Sequence, residues 1–101
     1  MAVGGRVPVA TGEIAGSATA KQLPDVAVAG TVLIKALAGN SGNVYLGIAG
    51  TVTKQDGTQD ATTGLELDSG DQVELAVSNL NELYIICDNA GDDLSYVIFG
   101  G

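Results

Sequence analysis

Carboxylates are the plentiful reactive groups of this 101-residue chain, which has twelve acidic residues, one cysteine and no histidine. Three oxygen-rich stretches stand out: Asp56–Asp60, Asp68–Asp71 and Asp88–Asp93. Calcium needs several such oxygens converging on one point. None of the three stretches follows the EF-hand pattern, since Thr58 stands where an acid or amide is wanted and the closing glutamate is missing. Because Asp, Asn and Gly also build ordinary turns, we interpret these stretches as turns and predict no metal site.

Catalytic alternatives find little support. Without histidine the chain lacks the commonest general base. A carboxylate pair can serve a glycosidase, but sugar sites need a cleft with aromatic platforms, and the chain has four aromatic residues and no Trp. Gly39–Gly42 lacks the spacing of a nucleophile elbow, and Gly47–Gly50 is too short for a dinucleotide fingerprint. The sequence therefore predicts a protein that is not an enzyme and holds no cofactor.

The formal net charge of −8 is unevenly distributed. Residues 1–50 hold two acids and three bases, a net of +1, whereas residues 51–101 hold ten acids and one base, a net of −9. Such a field disfavours nucleic acid and anionic membranes as partners. We interpret the acidity as a source of solubility rather than as a dedicated site for a cation or a basic partner.

The chain shows no leader and no apolar run of eighteen residues, so we expect a protein made in the cytoplasm without a membrane span. The single cysteine, Cys87, excludes an internal disulfide. Because it lies in an apolar string, we predict that Cys87 is a small buried hydrophobic residue rather than a reactive thiol.

Short apolar strings, Gln72–Val77, Leu83–Cys87 and Leu94–Phe99, recur about every eleven residues and are separated by Gly, Asn, Asp or Ser. This spacing is typical of an antiparallel sandwich or barrel. The predicted fold class is all-β: a small antiparallel β-sandwich or jelly-roll-like barrel with an extended N-terminal arm. Its core should be thin and rich in Ala and Val, which favours oligomerisation or docking onto something larger.

Further strands are predicted at 18–23, 31–38, 43–49 and 65–67. Asp25 and Gly39 could begin and end a helix instead, but the alternation of β-branched residues from 31 to 38 favours a strand. We expect residues 31–49 to form a hairpin, and the last two strands to form another through Asn89–Asp93. Side chains expected to point inward are Val73, Leu75 and Val77, with Leu80 beneath the corner between 78 and 82.

Residues 1–17 are predicted to form an extended arm, and residues 18–101 the single sandwich domain. The Gly-rich composition favours a floppy terminus, whereas its Val and Ile residues favour an arm that orders against a neighbour. Under the second interpretation residues 1–20 are disordered in the free protein and ordered in an assembly. Deleting residues 2–17 should then abolish binding to the partner while leaving the β fold intact. The candidate contacts with a partner or a neighbouring subunit are Arg6, Val7, Pro8, Val9 and Ile14.

Four segments carry a family resemblance: Gly42–Gly47, Leu67–Leu75, Asn79–Ile86 and Leu94–Ile98. Read in that order, they resemble the small β-sandwich virion proteins of tailed bacteriophages, and most of all capsid decoration (cement) proteins. The likeness spans about residues 18–99 and consists of strands and corners, so it transfers no active-site residues. The chain departs from the family in its acidity and in the polar loop at 51–64.

The resemblance implies a structural virion protein on the capsid surface, which binds the outside of the phage major capsid protein shell and stabilises it. It also implies a homo-oligomer, with trimers common among such proteins. Two alternatives remain open. One is a neck, tail or baseplate subunit of the same fold. The other is a receptor- or glycan-binding module that uses loops 39–42, 51–64 and 89–93.

Overall fold

The computed structural model describes residues 7–54 and 64–100 and confirms the all-β prediction. Within these residues no helix is long and apolar enough to cross a membrane. One short 3₁₀ turn, Leu80–Glu82, interrupts the strands. The eight strands are β1 (Val7–Ile14), β2 (Lys21–Gln22), β3 (Thr31–Ala36), β4 (Val44–Gly47), β5 (Leu65–Leu67), β6 (Gln72–Leu75), β7 (Tyr84–Cys87) and β8 (Leu94–Gly100).

The strands form two four-stranded sheets that pack face to face. The first sheet has the order β1-β8-β3-β6 and the second the order β2-β7-β4-β5, with every neighbour antiparallel. The pairs β1/β8, β2/β7, β3/β6 and β4/β5 are nested, with the first strand pairing with the last and so on inward. Eight strands in two such sheets form a jelly roll. The strand order is therefore that of a jelly roll, the second of the two predicted architectures.

Both predicted hairpins are wrong. β3 lies in the first sheet and β4 in the second, so residues 37–43 cross between the sheets. Likewise β7 and β8 lie in different sheets, so residues 88–93 cross between them as well. A connection of this length can form a hairpin within one sheet or cross to the opposite sheet. The local sequence does not determine which of the two occurs. Of the consecutive strands, β4 and β5 do pair with each other.

The core lies between the sheets and follows the alternation of each strand. In β3, Val32, Ile34 and Ala36 are buried, and the intervening residues are partly exposed. The inward orientation predicted for β6 and its extension is confirmed, because Val73, Leu75 and Val77 are partly buried against the core. The predicted strand at 18–23 is reduced to Lys21–Gln22. Other core residues are Ile14, Leu23, Val28, Val44, Leu46, Leu67, Leu80, Leu83, Ile85, Cys87, Leu94 and Ile98.

The corner between β6 and β7 is built around Leu80, which is fully buried as predicted. Asn79 caps the 3₁₀ turn, since its side-chain oxygen accepts from the Asn81 N–H at 2.9 Å. Glu82 reaches back to accept from the backbone N–H groups of Ser78 and Asn79. The side-chain and backbone hydrogen bonds from Ser78, followed by that from Asn79, hold the pKa of Glu82 below its ordinary value.

Part of the predicted arm belongs to the sandwich. Residues 7–14 form β1, an edge strand of the first sheet that pairs with β8 along its length. Its register shifts between Pro8 and Ala10, which places a bulge at Val9. The interpretation that residues 1–20 order only in an assembly is therefore corrected for β1, because its ladder to β8 forms within one chain. Residues 1–6 lie outside the described part of the chain.

Candidate functional site

The jelly roll has two unlike ends, which we name by their connections. At the four-connection end, residues 15–20, 37–43, 68–71 and 88–93 cross between the sheets. At the three-connection end lie residues 23–30, residues 76–83 and the connection that leaves β4 after Gly47 and enters β5 at Leu65. Because alternate crossings of a jelly roll fall at opposite ends, segments far apart in sequence meet at each end.

The four-connection end is strongly acidic. Its connections contain no Lys or Arg, and they hold the five aspartates Asp68, Asp71, Asp88, Asp92 and Asp93. Two of the three oxygen-rich stretches, 68–71 and 88–93, therefore lie at this one end. The remaining oxygen-rich stretch, Asp56–Asp60, lies outside the described residues.

Asp92 is the central residue of this end and is only 1% exposed. Its Oδ1 accepts from the backbone N–H groups of Ser41 at 3.0 Å and Gly42 at 3.3 Å. Its Oδ2 accepts from the backbone N–H and the side-chain amide of Asn89, both at 3.0 Å. One buried carboxylate thus joins the connection after β3 to the connection after β7.

The hydrogen bonds decide the ionisation of Asp92. Burial raises the pKa of its carboxyl, but the donors Gly42, Asn89 and Ser41 together outweigh burial and hold the pKa below its ordinary value. Asp88 and Asp93 serve similar roles, because Asp88 accepts from the Asn43 N–H and Asp93 from the Gly16 N–H, both at 2.9 Å. These three carboxylates stabilise turns by accepting backbone hydrogen bonds.

The turn between β5 and β6 uses the same chemistry. The Asp68 N–H donates to the Asp71 carboxylate at 3.0 Å, and Gly70 has a φ of +89° that favours glycine. Across residues 7–54 and 64–100, no three or more Cys, Asp or Glu side chains are placed to hold a metal ion. What the described acidic connections do is determine the shape of this end and place negative charge on it.

The three-connection end differs because it exposes large apolar side chains. Ile48, in the turn that follows β4, is 84% exposed, and Leu65, at the start of β5, is 51% exposed. Val7, where β1 begins, is 50% exposed and lies at this same end. Ile48 also borders a shallow depression lined by Gly47, Ala49, Thr51 and Val52. Apolar residues that form a contiguous patch are typical of surfaces that contact another macromolecule, and these three residues share one end of the sandwich.

The predicted contact residues divide between surface and core. Val7, Pro8 and Val9 are exposed on the edge strand, with Val9 58% exposed. Ile14 is 4% exposed and packs in the core of its own chain, so its side chain is not available to a partner. Arg6 lies outside the described residues. Sequence reasoning missed Ile48, although one signal was available: an isolated large apolar residue within the small-residue stretch 47–50.

Of the three loops proposed for glycan binding, two lie together, and residues 55–63 of the third lie outside the described part of the chain. Loops 39–42 and 89–93 meet at the four-connection end, where the Asn89 amide donates to the Ser41 hydroxyl at 3.2 Å. Residues 51–54 follow Gly47 at the opposite end of the sandwich. The described residues bring two of the three loops together, and the glycan interpretation stays a prediction.

Comparison with known proteins yields no family. No family model matches the sequence, no curated protein matches it, and no solved structure matches the fold.

Proposed function

We propose that the chain is a structural virion protein, a capsid decoration protein that binds the outer surface of a phage major capsid shell and stabilises it. The three-connection end faces the shell under this proposal, with Ile48 as the central contact and Val7 at the same end. The acidic four-connection end then points away from the particle.

The observation that carries this proposal is the difference between the two ends of the sandwich, one of which is acidic while the other exposes apolar side chains. Five aspartates lie in the connections of one end, whereas the described connections of the other hold two acids, Asp25 and Glu82. That other end presents Ile48, the most exposed large apolar residue among those described. An apolar end favours docking, since burying a side chain of this size stabilises a contact by about 1.5–3 kcal/mol. An acidic outer end favours colloidal stability when many copies crowd one particle. A decoration protein needs both properties on opposite sides.

Two further facts support the proposal without being specific to it. Jelly rolls are common in viral capsid proteins, although the same fold also serves lectins and cupins. The segments that resemble decoration proteins include all of β4 and β6, most of β7 and the first five residues of β8, together with the corner around Leu80. The resemblance therefore covers strands that build both sheets.

Co-sedimentation with undecorated phage capsids tests this function. The wild-type chain is expected to pellet with the capsids and to raise the temperature at which they open. The variant Ile48→Asp should lose most of this binding because it places a charge in the docking surface. Ala90→Asp is the matched control, since it adds the same charge at an exposed site of the four-connection end and should bind normally. Equal binding of Ile48→Asp and wild type would refute the proposed orientation.

Imaging separates the proposal from a role elsewhere in the virion. Fluorescently labelled protein added to complete particles should decorate heads in a regular array. Label confined to the neck, tail or baseplate would replace the decoration role with that of a subunit there. No association with any part of the particle would end the virion proposal altogether.

A further inference from the structure

The outer face of the first sheet is a second apolar surface, distinct from the three-connection end. In β3 the buried residues alternate with Thr31, Leu33 and Lys35, which point away from the core. Leu33 is paired directly with Val97 of β8, and both side chains are partly exposed. Phe99 lies two residues along β8 from Val97 and shares this face.

The strand register arranges this face in rows that run across the sheet. The row through Leu33 is apolar at its centre, where Val97 and Leu33 lie side by side, and polar at its ends, where Thr11 and Glu74 lie. The row nearer the four-connection end contains Glu13, Ser95, Lys35 and Gln72, in strand order from β1 to β6. An apolar centre with a polar border is the usual composition of a protein contact.

We propose that this face packs against the same face of a second copy of the chain. A two-fold axis parallel to the strands places β8 of each copy over β3 of the other. Val97 of one copy then lies over Leu33 of the second, and the contact repeats on the other side of the axis. The same operation places Lys35 over Ser95 of the second copy, one strand from Glu13 of that copy.

Charge complementarity selects a second copy as the occupant. Two chains of net charge −8 repel each other, so they can meet only where the local charges nearly cancel. On this face Lys35 is accompanied by two acids, Glu13 and Glu74. The connections of the four-connection end hold five aspartates, and the one ammonium bonded there among the described residues is that of Lys21, which donates to the Ala15 carbonyl. The two-fold arrangement sets each Lys35 beside a Glu13, so the face contains its own complement.

The size of the face predicts a weak dimer. Four strands about 4.8 Å apart and three rows about 7 Å apart, those of Thr31, Leu33 and Lys35, give roughly 400 Å² per copy. The total of about 800 Å² lies below the range of about 1,200–2,000 Å² that is typical of stable complexes. We therefore expect a monomer–dimer equilibrium that shifts with concentration, which a crowded surface would favour by mass action.

Analytical ultracentrifugation of the full chain tests the proposal. The weight-average mass is expected to rise with concentration from the 10.1 kDa of one chain toward twice that value. Leu33→Glu should keep the chain monomeric because it places a charge opposite Val97 of the second copy. Ile48→Glu is the matched control, with the same new charge at an exposed site away from this face. Circular dichroism establishes that each variant is folded.

A charge exchange gives a sharper test of the arrangement. Lys35→Glu changes the net charge from −8 to −10, and Glu13→Lys changes it from −8 to −6. Each single change sets like charges beside each other and should raise the dissociation constant of the dimer about three- to tenfold. This should hold even for Glu13→Lys, which lowers the net repulsion between the two chains. The double variant keeps the net charge at −8 and restores the opposite pairs, so its dimerisation should recover.

Three results would overturn the proposal. One is a chain that stays monomeric at every concentration. Another is a Leu33→Glu variant that dimerises like wild type, and the third is a double variant that is no better than either single one. Loss of capsid binding by Leu33→Glu without any change in self-association would mean that this face contacts the shell instead. The dimer does not depend on the proposed function, because all of these mass measurements use the isolated protein.

Discussion

The Asp92 carboxylate accepts a hydrogen bond from the Ser41 N–H at 3.0 Å, although the two residues lie 51 positions apart in the sequence. Ser41 belongs to the connection that leaves the first sheet after β3, and Asp92 to the connection that returns to it before β8. One side chain therefore holds two crossings of the jelly roll at a fixed separation. The stability of the four-connection end should depend on it.

Replacement of Asp92 by Ala should reduce the free energy of unfolding by about 3 kcal/mol. The reason is that several donor N–H groups lose a charged acceptor that is itself buried. Urea unfolding followed by circular dichroism measures this loss. Asp68→Ala removes a carboxylate from the same acidic end at an exposed position, and it should change stability by less than about 0.5 kcal/mol. Similar losses for both variants would contradict the role given to Asp92.

The pH dependence of stability should carry the signature of Asp92 and Glu82. Both carboxyls have pKa values held below the ordinary range in the folded protein, so the unfolded chain binds protons first as the pH falls. The contribution of the two carboxylates to the free energy of unfolding is complete above their pKa in the unfolded chain, about 4. It is lost as the pH falls through their lower pKa values in the folded protein. Urea midpoints between pH 6 and pH 2 should decline in the wild type. The decline should be shallower in Asp92→Asn, and parallel curves would contradict this prediction.

Gly16 should tolerate no side chain, because a Cβ there would lie 1.8 Å from the backbone oxygen of Asp92. Gly16→Ala must therefore move backbone and should reduce stability by about 1–3 kcal/mol. Gly39→Ala is the control, since a Cβ at Gly39 meets nothing within 4 Å. Thermal unfolding of the two variants compares them directly. A Gly16→Ala protein as stable as Gly39→Ala would show that residues 15–20 do not pack against the connection before β8.

The edge strand β1 should contribute stability through its last residue. Ile14→Ala removes a buried side chain and should reduce the free energy of unfolding by about 2–4 kcal/mol, whereas Val9→Ala, at an exposed bulge, should cost little. Chemical denaturation of both variants provides the measurement.

Deletion of residues 2–17, expected from the sequence to leave the fold intact, should instead destabilise it because β8 loses its neighbour. Wild-type stability in that deletion would restore the arm interpretation.

Cys87 should be unreactive in the folded protein. Burial, and then the negative charges of Asp92, Asp93 and Asp88, raise the pKa of the thiol and keep it protonated. A thiol reagent should therefore label Cys87 slowly in buffer and quickly in denaturant. Fast labelling of the native protein would show that the end of β7 opens far more readily than the core around it.

The sequence was sufficient to predict strands and their inward faces, but not how the strands pair. Alternation in 31–38 predicts a strand with Val32, Ile34 and Ala36 on one face, and the structure buries that face, because burial on one face imposes a period of two. The predicted hairpins failed because pairing depends on distant partners, such as β8 for β3. The acidic connections were interpreted as turns from their residue types, yet the burial of Asp92 by connections from elsewhere in the chain was beyond local reasoning.

The contact residues predicted from the sequence were likewise correct only in part. Val7 and Val9 were chosen as contacts because apolar residues in a Gly-rich segment are unusual, and both are exposed. Ile14 was chosen on the same grounds but packs in the core, since it lies at the end of β1 where the strand meets Leu94. Exposure is a property of the completed fold, so composition alone does not separate these cases.

The nested pairing has a consequence for how the protein is synthesised. Of the eight strands β1 is synthesised first and its neighbour in the sheet, β8, last, and β8 also separates β1 from β3. The first sheet can therefore not be completed until β8 has been synthesised, so β1 waits without its neighbour while the six strands between them are made.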